Sequence, residues 1–290
     1  MKRLFEGNAP RVFVFDFDNT IANTAASPDS AMKGVEEASR EAIGAVFGAY
    51  GTEALLKIGG AGNRSPRELI EELLQAGAAE DARSLMCGSA LGYLGKHRSA
   101  LMQCVPEGKG QSLALTVPAT LDTMTEIFVR AKLLILLPQV GESWPRRIPG
   151  AAFFQEEAGW RGRTCGILSA GHERFITRFY ETHHRKPLPM VTDDDIRGSL
   201  CKDWMKPDER LLRYALRKFG CFCVPMDDVL YLGDDLVRDG LMAKAAGTRF
   251  GWYNPAGRAP ATPLWDGAFE FRRYDELSGA IFGTAWAVRV

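Results

Sequence analysis

The chain has 290 residues, 46% hydrophobic and 25% charged, and its 36 basic and 36 acidic side chains give a formal net charge of zero. That length predicts two domains with a sizeable core, and the balanced charge gives no electrostatic case for a nucleic acid or an anionic membrane as partner. Residues 1–7 lack the continuous apolar run of a signal peptide, and the longest greasy stretch, 131–138, is interrupted by Lys132, so no segment reaches membrane-spanning length.

The first predicted element is the strand Val12-Phe13-Val14-Phe15, which ends abruptly in Asp16-Phe17-Asp18-Asn19-Thr20. Buried strands seldom finish in two acids and a hydroxyl. Carboxylates one residue apart at the C-terminal end of a strand can put one acid on a metal and the other beside it, in the crevice where open α/β sheets bind ligands. The alternative is an Asx-type turn in which Asp18, Asn19 and Thr20 satisfy local backbone groups. From about 27 to 147 the chain lacks β-branched alternation and is rich in Ala, Glu, Leu, Arg and Met, which predicts helices near 31–50, 81–104 and 118–137. Ser65-Pro66-Arg67-Glu68 opens a further helix, with Ser65 as cap, Pro66 at the first position and Glu68 closing a capping box. The glycine-rich stretch just before it, Ile58 to Arg64, either dips toward a catalytic centre with Arg64 binding a substrate anion or is an ordinary interhelical loop. Its glycines neither follow a predicted strand nor carry a Gly-Lys-Ser/Thr ending, so nucleotide binding is unsupported.

Beyond Ile148-Pro149-Gly150, strands near 164–169, 190–192, 229–233 and 248–252 alternate with helices near 172–182, 208–219 and 240–246, which implies a parallel sheet with right-handed crossovers. Gly166-Ile167-Leu168-Ser169 is a strand ending in a hydroxyl, and Lys206-Pro207-Asp208 puts a lysine at a helix mouth. Val229-Leu230-Tyr231-Leu232 runs into Gly233-Asp234-Asp235 and, four residues on, Asp239. The six cysteines, at 87, 104, 165, 201, 221 and 223, show no paired metal-ligand spacing and are expected to be reduced packing groups of a cytoplasmic protein. His183 and His184 are adjacent, cannot face the same way, and are expected on solvated surface.

Four motifs in this order resemble those of the haloacid dehalogenase superfamily of aspartate-dependent phosphohydrolases. Asp16, Asp18 and Thr20 match Asp-x-Asp-x-Thr, Ser169 the strand-terminal hydroxyl, Lys206 the lysine before a helix, and Gly233, Asp234 and Asp239 match Gly-Asp-x-x-x-x-Asp. The resemblance covers about 8–24 and 148–285. It implies a Rossmann-like parallel α/β core formed by 1–24 and 148–290, with 25–147 as an inserted all-α cap over the C-terminal edge of the sheet. The alternative is an accreted helical domain serving as an oligomerisation surface.

On that resemblance Asp16 is the nucleophile, forming an aspartyl-phosphate that water then hydrolyses. Asp18 protonates the leaving oxygen and later activates the water; relatives that displace halide from carbon generally lack an acid there, so Asp18 argues for phosphate chemistry. Asp16, the main-chain carbonyl of Asp18 and Asp234 are the expected Mg²⁺ ligands, with Asp239 supporting the same metal site and Asp235 able to replace either aspartate. Ser169 and Lys206 contact the transferring phosphoryl group, Lys206 also restraining Asp16, while Thr20 orients the loop and is, with Arg64, a candidate substrate contact. Ser169 is followed by Ala170-Gly171 where many relatives carry Asn, and the cap is long for the group, so no particular relative's substrate transfers. The implied partner is a small soluble phosphorylated metabolite. A phosphomutase, or a non-catalytic binding protein on the same fold, are the rival readings.

Overall fold

The computed structural model describes residues 5, 9–24, 34–61, 64–77, 80–106, 109, 120–197, 199, 204–260 and 262–283. Strand β1 (Val12–Phe15) is followed by the two-residue β2 (Ala22–Asn23). Four helices come next, α1 (Val35–Lys57), α2 (Pro66–Ala76), α3 (Glu80–Gln103) and α4 (Leu121–Leu136), before the short β3 (Arg146–Arg147). Then come α5 (Ala151–Trp160), β4 (Thr164–Leu168), α6 (Glu173–Thr182), β5 (Met190–Val191), α7 (Asp193–Arg197) and α8 (Glu209–Lys218). The chain continues through β6 (Val229–Gly233), α9 (Leu241–Ala246), β7 (Arg249–Tyr253), β8 (Ala268–Phe271) and α10 (Tyr274–Phe282).

Six strands form one sheet in the order β5-β4-β1-β6-β7-β8, every neighbouring pair parallel, which is the α/β architecture expected from the sequence. Helices cover both faces, so the strands are apolar on both sides. In β1 the two-residue period divides the work. Val12 and Val14 join a buried cluster with Leu212 and Ala215 of α8 and Met242 of α9, whereas Phe13 and Phe15 join another, where Phe154 of α5 meets Phe13 edge-on at 5.3 Å. Burying each of these phenylalanines contributes roughly 1.5–3 kcal/mol. β1 lies between β4 and β6, where the strand order turns back on itself. Such a switch point opens a crevice at the strands' carboxyl ends.

The inserted helices pack on one another and continue the cluster that holds Phe13 and Phe15. α2 begins as the sequence predicts: Ser65 Oγ accepts from Glu68 N at 3.2 Å, Ser65 N donates to Glu68 Oε2 at 2.8 Å, and Leu69, Ile70, Leu73 and Leu74 are buried. β2 and β3 pair antiparallel, Ala22 opposite Arg147, so the chain leaves for the helices and returns from them side by side.

Some elements differ from expectation. α1 runs past the expected end at 50 to Lys57, bending at Gly48, whose φ of 67° is open to glycine. The expected start of that helix at 31 and residues 118–119 of the fourth lie outside the described residues. α5, β8 and α10 were not predicted. α5 buries Ala151, Phe154, Gln155 and Ala158 at helical spacing, but Phe153 and Trp160 on its exposed side blur the apolar stripe. β8 is a four-residue edge strand, too short for its alternation to stand out. His183 is half-buried rather than solvated, because the turn after α6 folds its ring onto Phe179 at 4.7 Å, and burial pulls its imidazole below the ordinary value. Cys87, Cys104, Cys165, Cys221 and Cys223 are free thiols, and Cys201 lies outside the described residues. Among the described residues no helix is long and apolar enough to cross a membrane.

Candidate active site

The strand-end residues converge because β1, β4 and β6 are in register. Phe15 is level with Ile167 and Leu232, so Asp16, Ser169 and Asp234 all emerge at the same edge of the sheet. Asp16 N donates to the Leu232 carbonyl at 2.8 Å, extending the ladder by one residue to the edge of the crevice. Phe17 points the other way, edge-on to Phe175 and Phe179 at 6.2 and 5.2 Å. That anchor sends Asp16 and Asp18 toward the crevice together. The chain then turns tightly: the Phe17 carbonyl accepts from the amides of Thr20, Ile21 and Ala22, and Asn19 takes the left-handed conformation at φ 54°.

The last turn of the site comes from a single π-helical turn, Leu236–Gly240. Asp235 caps it, its Oδ1 accepting from Val237 N at 2.9 Å and Arg238 N at 3.0 Å, so this oxygen is committed to the backbone, and Asp235 is not among the clustered acids. The wide turn tucks Asp239 against Gly233, where any Cβ would overlap the Asp239 carboxylate. Tyr231 Oη lies 3.1 Å from Asp239 Oδ1, and Asp235 N donates to Asp239 Oδ2 at 3.3 Å.

Lys206 joins these elements. Its buried ammonium is 2.5 Å from Asp16 Oδ1 and 2.7 Å from Asp239 Oδ1. Burial would lower its pKa, but the two carboxylates outweigh it and hold the ammonium above its ordinary value. Asp16, Asp234 and Asp239 each offer an oxygen within 4.8 Å of the others. Burial, followed by the charge of Asp239, pushes Asp234 up to about 7. Burial also raises Asp16, with Lys206 opposing and the neighbouring aspartates adding to the rise. Three carboxylates sharing one ammonium carry negative charge that a hard divalent cation would neutralise, and an all-oxygen donor set suits Mg²⁺. Asp239 therefore stands among the clustered acids rather than behind them, and the Asp18 carboxylate stands outside this trio.

Ser169 Oγ accepts from Gly171 N at 2.9 Å, which leaves its own hydrogen to donate. Gly171 fits between Ser169 and Asp18: a Cβ there would come within 3.1 Å of Ser169 Oγ and 3.5 Å of Asp18 Oδ2. Asp16, Asp18, Lys206, Asp234 and Asp239 line one side of a cavity of about 950 Å³, and Val35, Leu69, Phe128 and Lys132 of the inserted helices line another.

Of the two expected substrate contacts, one lines the cavity and one does not. Thr20 is fully buried and does not line the cavity; its carbonyl accepts from Tyr274 Oη at 2.9 Å, so the residue holds the loop from behind. Arg64 does line the cavity, but its guanidinium donates to Glu72 Oε2 at 2.7 Å, to the Gly60 and Ile58 carbonyls at 3.1 Å and to the Ala61 carbonyl at 3.4 Å. Four of its five N–H groups are taken up in organising the residues just after α1. In the sequence Lys132 stands out only as a break in an apolar stretch; a charge on the buried stripe of a helix is the signal of its place in the cavity.

The family model of the haloacid dehalogenase-like hydrolases matches residues 10–247. The chain belongs to that family. No curated protein matches this haloacid dehalogenase-like hydrolase in sequence. Among solved structures, CbbY from Rhodobacter sphaeroides in complex with phosphate is 17% identical, with 94% of this chain and 99% of that one covered at a TM-score of 0.54, a likeness of fold. The 2-haloacid dehalogenase from Pseudomonas syringae pv. Tomato DC3000 is 18% identical, with coverages of 93% and 97% and a TM-score of 0.49. A HAD phosphatase from Thermococcus onnurineus is 15% identical, with coverages of 95% and 100% and a TM-score of 0.45.

Proposed function

We propose that this hydrolase is a Mg²⁺-dependent phosphatase of a small soluble phosphomonoester, working through an aspartyl-phosphate on Asp16. The observation that carries the reading is the Asp18 carboxylate, which lines the cavity beside Gly171 and Ser169 and stands apart from the clustered acids. Displacing halide from carbon needs no proton donor, whereas an alkoxide leaves phosphorus only when protonated.

In the first half-reaction Asp16 attacks phosphorus in line, the bond to the ester oxygen breaks, and Asp18 delivers its proton to that oxygen. In the second, Asp18 takes a proton from water, which attacks phosphorus and releases phosphate from Asp16. Lys206 holds Asp16 in place by its 2.5 Å contact and brings positive charge to the phosphoryl oxygens, toward which Ser169 donates its free hydrogen. Asp16, Asp234 and Asp239 would hold Mg²⁺, with the main-chain carbonyl of Asp18 as a further oxygen, and the ion would supply more positive charge to the phosphoryl oxygens. In this reading 1–24 and 148–290 are the core domain and 25–147 a cap that closes the cavity, and the reduced cysteines and a soluble metabolite suit the cytoplasm.

Phosphate release from p-nitrophenyl phosphate, with Mg²⁺ and no bisphosphate activator, tests the proposal. Asp16→Asn keeps the shape and removes the nucleophile, so kcat should fall by on the order of 10³-fold or more. Activity of that variant within a few-fold of the parent, or release of chloride from 2-chloropropionate in place of phosphate from any ester, would overturn the reading.

A further inference from the structure

Helix α4 brings one unused charge to the cavity. Lys132 lines it and is only 8% exposed, yet no acceptor pairs with its ammonium among the described residues. A buried cation without a partner is costly, and a ligand that supplies the missing anion removes that cost. Phe128, one helical turn earlier, lines the same cavity with its ring centroid 6.0 Å from Lys132 Nζ, at the limit of a useful cation–π contact.

Position and charge narrow what the ligand is. Lys132 lines the wall that α4 supplies, apart from the strand ends that bring Asp16 and Asp234 to the cavity, which puts it toward the part of the substrate beyond the ester oxygen. Burial holds its ammonium below the ordinary value, with Asp193 and then Asp18 opposing. Other cations of the cavity are committed: Lys206 to Asp16 and Asp239, Arg64 to Glu72, and Arg40 to Glu36. Arg238, on the π-helical turn that carries Asp239, also lines the cavity. Glu37 and Glu41 also line the cavity, and their charge favours a singly charged carboxylate over a doubly charged second phosphate. Val35, Leu69 and Phe128 offer an apolar wall to a carbon skeleton.

We propose that Lys132 pairs with a carboxylate on the leaving group, so that the substrate is a phosphate monoester of a hydroxy acid. This rests on the phosphatase reading and names the substrate class that the reading leaves open. A site built around one buried charge rejects the analogue that lacks its partner, because the charge is then left unpaired.

The experiment compares phosphoglycolate and 3-phosphoglycerate with the neutral-chain esters ethyl phosphate and glycerol 1-phosphate. The parent should favour the carboxylated esters in kcat/KM by roughly 10- to 100-fold. Lys132→Met, which keeps length and suits burial, should erase that preference by lowering only the carboxylated values, and Lys132→Arg should retain most of it. A parent that prefers neutral esters overturns the proposal, whatever the variants do. Equal losses on both ester types in Lys132→Met overturn it too, since they would make Lys132 a support for Asp18. Calorimetric binding of phosphoglycolate and ethyl phosphate to Asp16→Asn, with and without Lys132→Met, separates the two readings. Tighter binding of phosphoglycolate that depends on Lys132 would uphold the carboxylate site even if no ester were hydrolysed, and equal binding would remove it.

Discussion

Asp16 and Asp18 leave the same strand end two residues apart, yet their surroundings give them different work. Asp16 is buried, bonded to Lys206 and grouped with Asp234 and Asp239, whereas Asp18 faces the cavity outside that group. Asp18→Asn should therefore damage the two half-reactions unequally. p-Nitrophenolate leaves without much help, so the aspartyl-phosphate should still form from that ester, while its hydrolysis, which needs a base, should slow by ~10²–10⁴-fold. Rapid-quench measurement should find phosphorylated protein and a burst of product, neither of which Asp16→Asn can give. Equal rate losses on nitrophenyl and alkyl esters without trapped phosphoprotein would leave Asp18 a structural carboxylate. At this scale the proposed reacting groups were legible because each ends a strand, where an acid, hydroxyl or glycine stands out against an apolar run. Lys132 was not, since one charge in a helix reads as solvated until tertiary packing shows it buried. Arg64 was legible only in part: a basic residue after glycines suggests an anion site, and the structure places it on the cavity wall with four bonds to backbone carbonyls and Glu72.

Helix α4 is the element that ties the inserted helices to the sheet. Phe128 and Lys132 face the cavity, while Glu126 and Arg130, offset by two positions, enter a buried ion-pair cluster. Glu126 accepts from Arg130 Nε at 2.5 Å and from Arg197 Nε of α7 at 2.6 Å. Arg197 pairs in turn with Asp193 and, at 2.7 Å, with Asp194, whose other oxygen accepts from Glu173 N at the start of α6. Burial alone would raise Asp194, but His172 and Arg197 outweigh it and hold this carboxyl below the usual range. A depressed carboxyl stabilises the fold above its unfolded pKa of about 3.9, and that contribution is lost as pH falls through the folded value. Asp194→Asn should destabilise the fold near neutrality by at most about 3–5 kcal/mol, since Arg197 loses one buried partner but keeps Glu126 and Asp193. The gap in melting temperature between parent and variant should narrow below about pH 4. A gap that widened on acidification would refute the assignment. The helices themselves were legible from composition and from the Ser65 capping box. Their clasp on α7 was invisible, because Glu126 and Arg197 are distant in sequence and each alone reads as a surface charge.

For the whole molecule, the clustered acids predict a protein stabilised by Mg²⁺. Chelation should abolish phosphate release, Mg²⁺ should restore it, and Ca²⁺ should suppress it through its larger and looser coordination. Mg²⁺ at 100 times its Kd should add about 2.7 kcal/mol of stability, visible as a rise in melting temperature that Asp234→Asn diminishes. Full-rate hydrolysis by metal-stripped protein would sink the metal site. The parallel sheet was readable from alternating strands and helices, while its strand order, which sets Asp16 beside both Ser169 and Asp234, depends on crossovers that local pattern does not encode.

The ribbon of β2 and β3 bears on how such a molecule comes together. β1 has no neighbour close in sequence; its partners β4 and β6 lie beyond the four helices. Bringing Asn23 to Arg146 closes a loop of ~120 residues, an entropic cost of about 4 kcal/mol for a flexible chain. Helices α1 to α4, by condensing first, would shorten that search and present both ends of the loop together. The strand bearing Asp16 would then gain its neighbours late, so that this carboxylate meets Lys206 and its fellow acids only once most of the chain is already in place.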